Sequence, residues 1–258
     1  MNEIVKIESK ILGVDLDTIK VRLIIDIVLR LESQMHIGAG EDNIEFTPES
    51  GILMTRIGVK DKSFYPYIPS SSIKGVLRSE AERIAKAFSK LDKDINYLCE
   101  RYPEYCNIEK GDKPCVICRI FGGNDLASHI IFSDGIPNKK TQKKFKTKLK
   151  PGIAINRKRQ VSKDGSLFFI ETLQPGAEFQ FKMIINNISK EIKPLEFKVL
   201  QALFKMVKLG FISIGGKKST GMGKFSFIDA KVKELKSKND FLFPDEVESQ
   251  NFYDYFEI

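Results

Sequence analysis

No stretch of this 258-residue chain approaches the roughly 18 consecutive apolar residues of a membrane span, so no transmembrane helix is expected. The opening residues, Met1-Asn-Glu-Ile-Val-Lys-Ile-Glu8, carry acids and no continuous apolar core, so they do not read as a signal peptide. A cytoplasmic location is the expectation. Histidine occurs only twice, at His36 and His129, and nothing frames either one as part of a Ser-His-Asp arrangement. Acid is missing from residues 139 to 163, which hold eleven Lys/Arg, and base is missing from residues 239 to 258, which hold six acids. Because the whole chain is only +8, everything outside the basic band is net acidic. Such a band suits a polyanion, of which nucleic acid is the commonest.

The feature that organises the rest is Ser213-Ile-Gly-Gly-Lys-Lys-Ser-Thr-Gly-Met-Gly-Lys-Phe225. Its glycines permit positive φ and close approach of a ligand, and Lys217, Lys218 and Lys224 add positive charge. The spacing fits neither the P-loop nor the Rossmann fingerprint, which removes a nucleotide-hydrolysis reading. A grip on a phosphate chain and a lysine-rich surface turn are the two readings left by the loop alone.

Hydropathy patterns place the loop in a fold. Thr18 to Glu32 alternates as a long strand, ending at Met35-His-Ile-Gly-Ala-Gly40. His36 there reads as a structural or RNA-facing loop residue. Residues 41 to 64 read as irregular, with Asp42, Glu45, Glu49 and Asp61. In Tyr65-Pro-Tyr-Ile-Pro-Ser-Ser-Ser-Ile-Lys-Gly-Val-Leu-Arg78 the serines are expected to cap a helix whose stripe is Ile73, Leu77, Ala81, Ile84 and Phe88. Its start, with N–H groups, serine hydroxyls, Lys74 and Arg78, is a second anion-ready element. A short strand at Ile130 to Phe132 and a Ser133-Asp-Gly135 turn precede the basic band. A protruding hairpin follows, returning after a Lys163-Asp-Gly165 turn. Ala177 to Ile185 alternates as a strand, Pro194 to Gly210 reads as a helix, and Lys224 to about Glu234 is the last strand.

That order predicts an α+β, ferredoxin-like or RRM-like β-α-β-β-α-β core. The expectation is a single domain over 1–258, with insertions at about 41–64, 96–123 and 137–173 and an acidic tail at 239–258. RRM aromatic signatures are missing, so stacking of RNA on the sheet face is not expected. The tail carries Phe241, Phe243, Phe252, Tyr253, Tyr255 and Phe256. Docking on a neighbouring subunit, covering the chain's own basic groove and disorder are its three readings.

All four cysteines fall within residues 99 to 118. Cys115-Val-Ile-Cys118 has the knuckle spacing of zinc thiolate sites, and Cys99 and Cys106 are able to complete a set of four. A structural zinc, a disulfide pair and reduced buried thiols remain open. Zinc catalysis is not expected, since four thiolates leave no open position.

Four of these segments resemble the RAMP superfamily of CRISPR-associated proteins, specifically its type III backbone subunits. Met35-His-Ile-Gly38 matches the motif after the first strand, and Tyr67-Ile-Pro-Ser-Ser-Ser-Ile-Lys-Gly75 resembles the helix entry YIPGSSLKG. Cys115-Val-Ile-Cys-Arg-Ile-Phe-Gly122 is similar to C-x-x-C-x-L-F-G, and Ile214 to Gly223 resembles the C-terminal glycine-rich loop. The resemblance implies a subunit that polymerises along CRISPR RNA beside other RAMP subunits, with no membrane partner. It implies that Ser71, Ser72, Lys74 and Gly75, with Gly215, Gly216, Lys217 and Lys218, hold guide backbone, and Arg78 is expected to join them from its place in the anion-ready helix start. It also implies that the hairpin is a thumb, carrying Arg157, Lys158 and Arg159, that reaches over the guide–target duplex. Some members cut target RNA with an Asp in a D-x-P-V-x-R/K run, but Gly51-Ile-Leu-Met-Thr-Arg-Ile-Gly-Val-Lys60 has no acid. A magnesium-dependent endoribonuclease using Asp42, Glu45, Glu49 or Asp61 is the alternative function, against the reading of those acids as solvated surface.

Overall fold

The computed structural model describes residues 16, 18–38, 54–56, 64–93, 95–99, 106, 113–124, 126–138, 145–237 and 246–258. The elements in chain order are β1 (Val21–Leu31), β2 (Met54–Arg56), β3 (Phe64–Pro66), α1 (Ser70–Leu91), α2 (Val116–Phe121), β4 (Ile130–Phe132) and β5 (Ile136–Pro137). After these come β6 (Thr147–Asn156), β7 (Val161–Leu173), β8 (Glu178–Asn186), α3 (Pro194–Lys208), β9 (Phe225–Lys236), β10 (Glu246–Asn251) and α4 (Phe252–Tyr255).

The main sheet runs β10-β9-β1-β8-β4, with β5 also paired to β8. Its core order β9-β1-β8-β4 is last, first, third, second strand, all neighbours antiparallel, as the β-α-β-β-α-β reading requires. Alternation in β1 buries Val21, Leu23, Ile25, Ile27, Leu29 and Leu31 on one face. Helices α1 and α3 add Ile73, Leu77 and Ala81, and Val199, Leu203 and Phe204, to the same core. The other face carries Asp26, Gln180, Lys182, Asp229 and Lys231 around a shallow recess.

The structure departs from the sequence reading in four places. Residues 41 to 64 are not wholly irregular, because β2 and β3 pair there. Helix α1 is capped by Pro69 without a side-chain cap bond, not by the serines. Instead the Ser70 N–H donates to Asp134 Oδ1 at 2.7 Å, a carboxylate from the turn after β4. A charged acceptor at a helix N-terminus gains from the dipole as well as the hydrogen bond. The hairpin turns at Arg157–Gln160, and Lys163-Asp-Gly165 lies within β7 as a bulge, where the register with β6 shifts between Ile153 and Ile155 and Gly165 has φ of +69°. Asn156 fixes that tip, its Oδ1 accepting from Lys158 N–H at 3.1 Å and Arg159 N–H at 3.2 Å.

The tail supplies the fourth departure. It docks neither on the basic groove nor, in the described residues, away from the body: β10 extends the sheet beside β9, and α4 plugs the core against α3. Phe252 and Phe256 are fully buried among Phe197, Phe204 and Phe227. Tyr255 OH donates to Glu234 at 2.9 Å, and Lys208 Nζ donates to the Ile258 carbonyl at 2.7 Å. Phe241 and Phe243 lie outside the described residues.

Candidate functional site

β1 ends where β8 and β9 begin, with Leu29 opposite Phe179 and Leu31 opposite Phe225. Three sequence-singled segments meet at this end of the sheet. The glycine-rich loop enters it from α3 and is closed by the Ser213–Lys224 bridge. It lies directly on the segment after β1: Gly216 N–H donates to the His36 carbonyl at 2.9 Å, Gly223 N–H to the Gln34 carbonyl at 2.7 Å, and Lys224 N–H to Ser33 Oγ at 2.9 Å. Gly215 makes this approach sterically possible, and Gly223 lets the loop close on its own Ile214. At Gly215, φ is +88° and a Cβ would sit 2.4 Å from the His36 carbonyl oxygen. At Gly223, φ is +80° and a Cβ would sit 1.9 Å from the Ile214 carbonyl oxygen.

The base of the hairpin is the third segment. Met35 bridges to Leu173, and His36 Nδ1 donates to the Glu171 carbonyl at 2.8 Å. One face of the hairpin turns to the body, where Ile170 and Thr172 are buried. On the other face Leu149, Ile153 and Ile155 of β6 stand beside Leu167 and Phe169 of β7, 46% to 67% exposed. That is a continuous apolar stripe in solvent, rising to a tip that exposes Arg157, Lys158 and Arg159. Lys217 and Lys218 are also exposed, and Lys217 Nζ sits 5.2 Å from the Phe168 ring centroid.

The start of α1 faces the same end, since Ile68 pairs with Gly135 next to β5, which pairs with the first residues of β8. Ser71 and Gly75 are exposed there, and Ser72 is half-buried. Gly75 has open space where a Cβ would be. A glycine inside a helix costs about 1 kcal/mol relative to alanine, and among the described residues no neighbour requires it. Lys74 and Arg78 turn inward. Lys74 Nζ donates to Ser128 Oγ at 3.1 Å, and burial, then the nearby Arg78 charge, lowers its pKa. Arg78 pairs with Glu82 at 3.1 Å, donates to the Gly122 carbonyl at 2.8 Å and reaches Cys118 Sγ at 3.6 Å. Arg78 therefore joins α1 to the cysteine segment rather than lying with the exposed cations.

The four cysteines converge. Cys99 Sγ lies 3.4 Å from Cys118 Sγ and 3.5 Å from both Cys115 and Cys106 Sγ, and all four sulfurs lie within 4.8 Å of one another. All are buried and free, which sets the disulfide reading aside. A tetrahedron of thiolates about 2.3 Å from a zinc ion has sulfurs about 3.8 Å apart, so the donor set fits. Backbone N–H groups already point at it, from Cys115 to Cys106 Sγ and from Cys118 to Cys115 Sγ. Hydrogen bonds from Cys115 and then Cys99, with the Arg78 charge, push the Cys118 thiol down to about 2. Cys115 is pushed far up, by its bonds to Cys118 and then Cys99. A hydrogen bond with Cys115 lowers Cys99, but its bond to Cys118, burial and the Cys118 charge outweigh that, raising it to about 12. Arg119, inside the same knuckle, ties α2 to α3 through the buried Glu196 at 2.5 Å.

Several of these partners escaped the sequence reading. Asp134 was legible only as a turn residue, and Ser128 and Phe168 carried no signal, because their roles depend on strand register. Asp42, Glu45, Glu49 and Asp61 lie outside the described residues. Among the described residues no helix is long and apolar enough to cross a membrane.

Comparisons with known proteins bear on the same segments. A family model described as the RAMP superfamily matches residues 28–226. The chain is 28% identical over 247 residues to the CRISPR system Cms endoribonuclease Csm3 of Methanocaldococcus jannaschii, covering 91% of this chain and 92% of that one. Among solved structures it is similar to a chain of the Csm3–Csm4 subcomplex of the type III-A CRISPR–Cas interference complex. That match has a TM-score of 0.51 and 19% identity, over 91% of this chain and 90% of the other, and it places the two in one fold.

Proposed function

The chain belongs to the RAMP superfamily, and from that premise we propose that it is an RNA-binding backbone subunit of a type III CRISPR effector complex. It holds CRISPR RNA and its target duplex and packs against other RAMP subunits. The observation that carries this is the glycine-rich loop seated on the His36 segment. Its backbone is bound to the protein interior at Gly216 and Gly223, while Lys217 and Lys218 face solvent beside a basic hairpin. Cations on a stiff backbone grip phosphates without reading bases, which suits a protein that must accept any guide sequence. At α1, Ser71, Ser72 and Gly75 present an uncluttered helix face to the same strand, with Lys74 behind them. The tip cations Arg157, Lys158 and Arg159 reach over the duplex, and the apolar stripe beneath them is covered in the assembly.

The cysteines hold a structural zinc. Cys99, Cys106, Cys115 and Cys118 would supply its four thiolates and so fix the cysteine segment, which Arg78 joins to α1 and Arg119 joins to α3.

A second reading, target-RNA cleavage, is favoured by the name of the Methanocaldococcus relative, an endoribonuclease. It would use an acid of the 41–64 segment and magnesium. The native assembly tests both readings. RNA extracted from it is expected to carry repeat-derived sequence, and RNA without such sequence contradicts the guide-binding role. Added target RNA with Mg²⁺ is cut only if the second reading holds, and substituting Asp42, Glu45, Glu49 or Asp61 then abolishes cutting while binding persists.

A further inference from the structure

We infer that Phe168, seated on Gly152, is a positioning residue that aims the Lys217 ammonium at the RNA backbone; this rests on the reading of the glycine-rich loop as an RNA grip. Phe168 of β7 pairs with Gly152 of β6. A Cβ on Gly152 would fall 2.2 Å from the Phe168 ring, so the far end of the ring occupies space over the neighbouring strand that only glycine leaves. The ring meets Lys217, whose Nζ is 5.2 Å from its centroid. Lys217 itself has φ of +57°, a left-handed conformation uncommon for a residue with a Cβ. It is held between the Gly216 N–H bond to His36 and the turn in which the Thr220 N–H donates to the Lys217 carbonyl at 3.0 Å. The loop thus spends backbone strain to direct this side chain at the hairpin.

The chemistry of the partner matters. A carboxylate in the place of Phe168 would fix Lys217 equally well and neutralise it. An aromatic face attracts the ammonium through its quadrupole, restricts its rotamers and leaves its full charge for a phosphate. Phe168 also ties the hairpin to the loop, so that the tip cations and Lys217 keep one geometry along the RNA.

The test is binding of a fluorescein-labelled single-stranded RNA by the full chain carrying Lys217→Ala, Phe168→Leu, Phe168→Tyr, or Phe168→Leu with Lys217→Ala. Circular dichroism melts accompany each variant. Phe168→Leu is expected to weaken binding about two- to fivefold, the range of an exposed cation–π contact. Phe168→Tyr keeps wild-type affinity, and the double variant binds no worse than Lys217→Ala alone. The inference is overturned if Phe168→Leu binds like wild type, if Phe168→Tyr fails to rescue, or if the two losses multiply. If Lys217→Ala leaves RNA affinity and its salt dependence unchanged, the loop reading falls and this inference with it, an outcome distinct from the other three.

Discussion

Phe256→Ala is expected to lower the free energy of unfolding by about 3–5 kcal/mol, the range for removing a buried phenyl ring without collapse of the cavity. Phe256 is fully buried. Its ring stacks on Phe197 at 5.4 Å and meets Phe204 at 4.7 Å and Phe252 at 5.0 Å. Three rigid aromatics around one site leave little that can relax inward. For a chain of this size the loss corresponds to roughly 10 °C in melting temperature, read by thermal or urea melts. The Phe256 ring meets Phe197, Phe204 and Phe252 and not the glycine-rich loop, so RNA affinity per folded molecule should not change. A loss below about 1 kcal/mol would mean that the last residues decorate the core rather than complete it.

Cys118→Ser should have an effect at least as large. Cys118 stands 3.4 Å from Cys99, donates its N–H to Cys115 Sγ and receives Arg78. Losing one of four thiolates opens the site to water, and metal loss ranks with the mutations that cost more than about 4 kcal/mol. Elemental analysis is expected to find about one zinc per wild-type chain and substantially less in the variant, with a matching drop in melting temperature. Because the ligands bind as thiolates, acid should release the metal, and stability should fall with it. A wild-type protein that is fully folded without metal would end the structural-zinc account. So would a variant that keeps both metal and stability.

The fold was largely legible from alternation. Leu23, Ile25, Ile27 and Leu29 mark β1 as half-buried, and Leu203 and Val207 mark the inward stripe of α3, because burial imposes the periods 2 and 3.6 directly on the sequence. The four cysteines were legible as a group because few other constraints bring thiols together. The partners that orient the site were not. Asp134 takes the first N–H of α1 from 64 residues away, and Phe168 meets Lys217 only because β6 and β7 pair with Phe168 opposite Gly152. Register is a tertiary property that no local pattern records. The tail was misread for a related reason. Six aromatics among acids left docking on a neighbour, covering the basic groove and disorder as its readings, whereas β10 pairs with the edge of β9 and sets Phe252 and Phe256 in the core. The inward turn of Arg78 has the same origin, since its acceptors Glu82, Gly122 and Cys118 are assembled only by the fold.

Exposed Lys217 and Lys218, on a loop locked to the His36 segment, are the centre of the functional account. The salt dependence of RNA binding tests them most directly. Each phosphate contact to a single strand contributes about 0.7 to the slope of log K against log salt. The double variant Lys217→Ala with Lys218→Ala is therefore expected to bind more weakly and to lose about 1.4 from the magnitude of the wild-type slope. An unchanged slope in a folded double variant would contradict the loop as a grip on the RNA backbone.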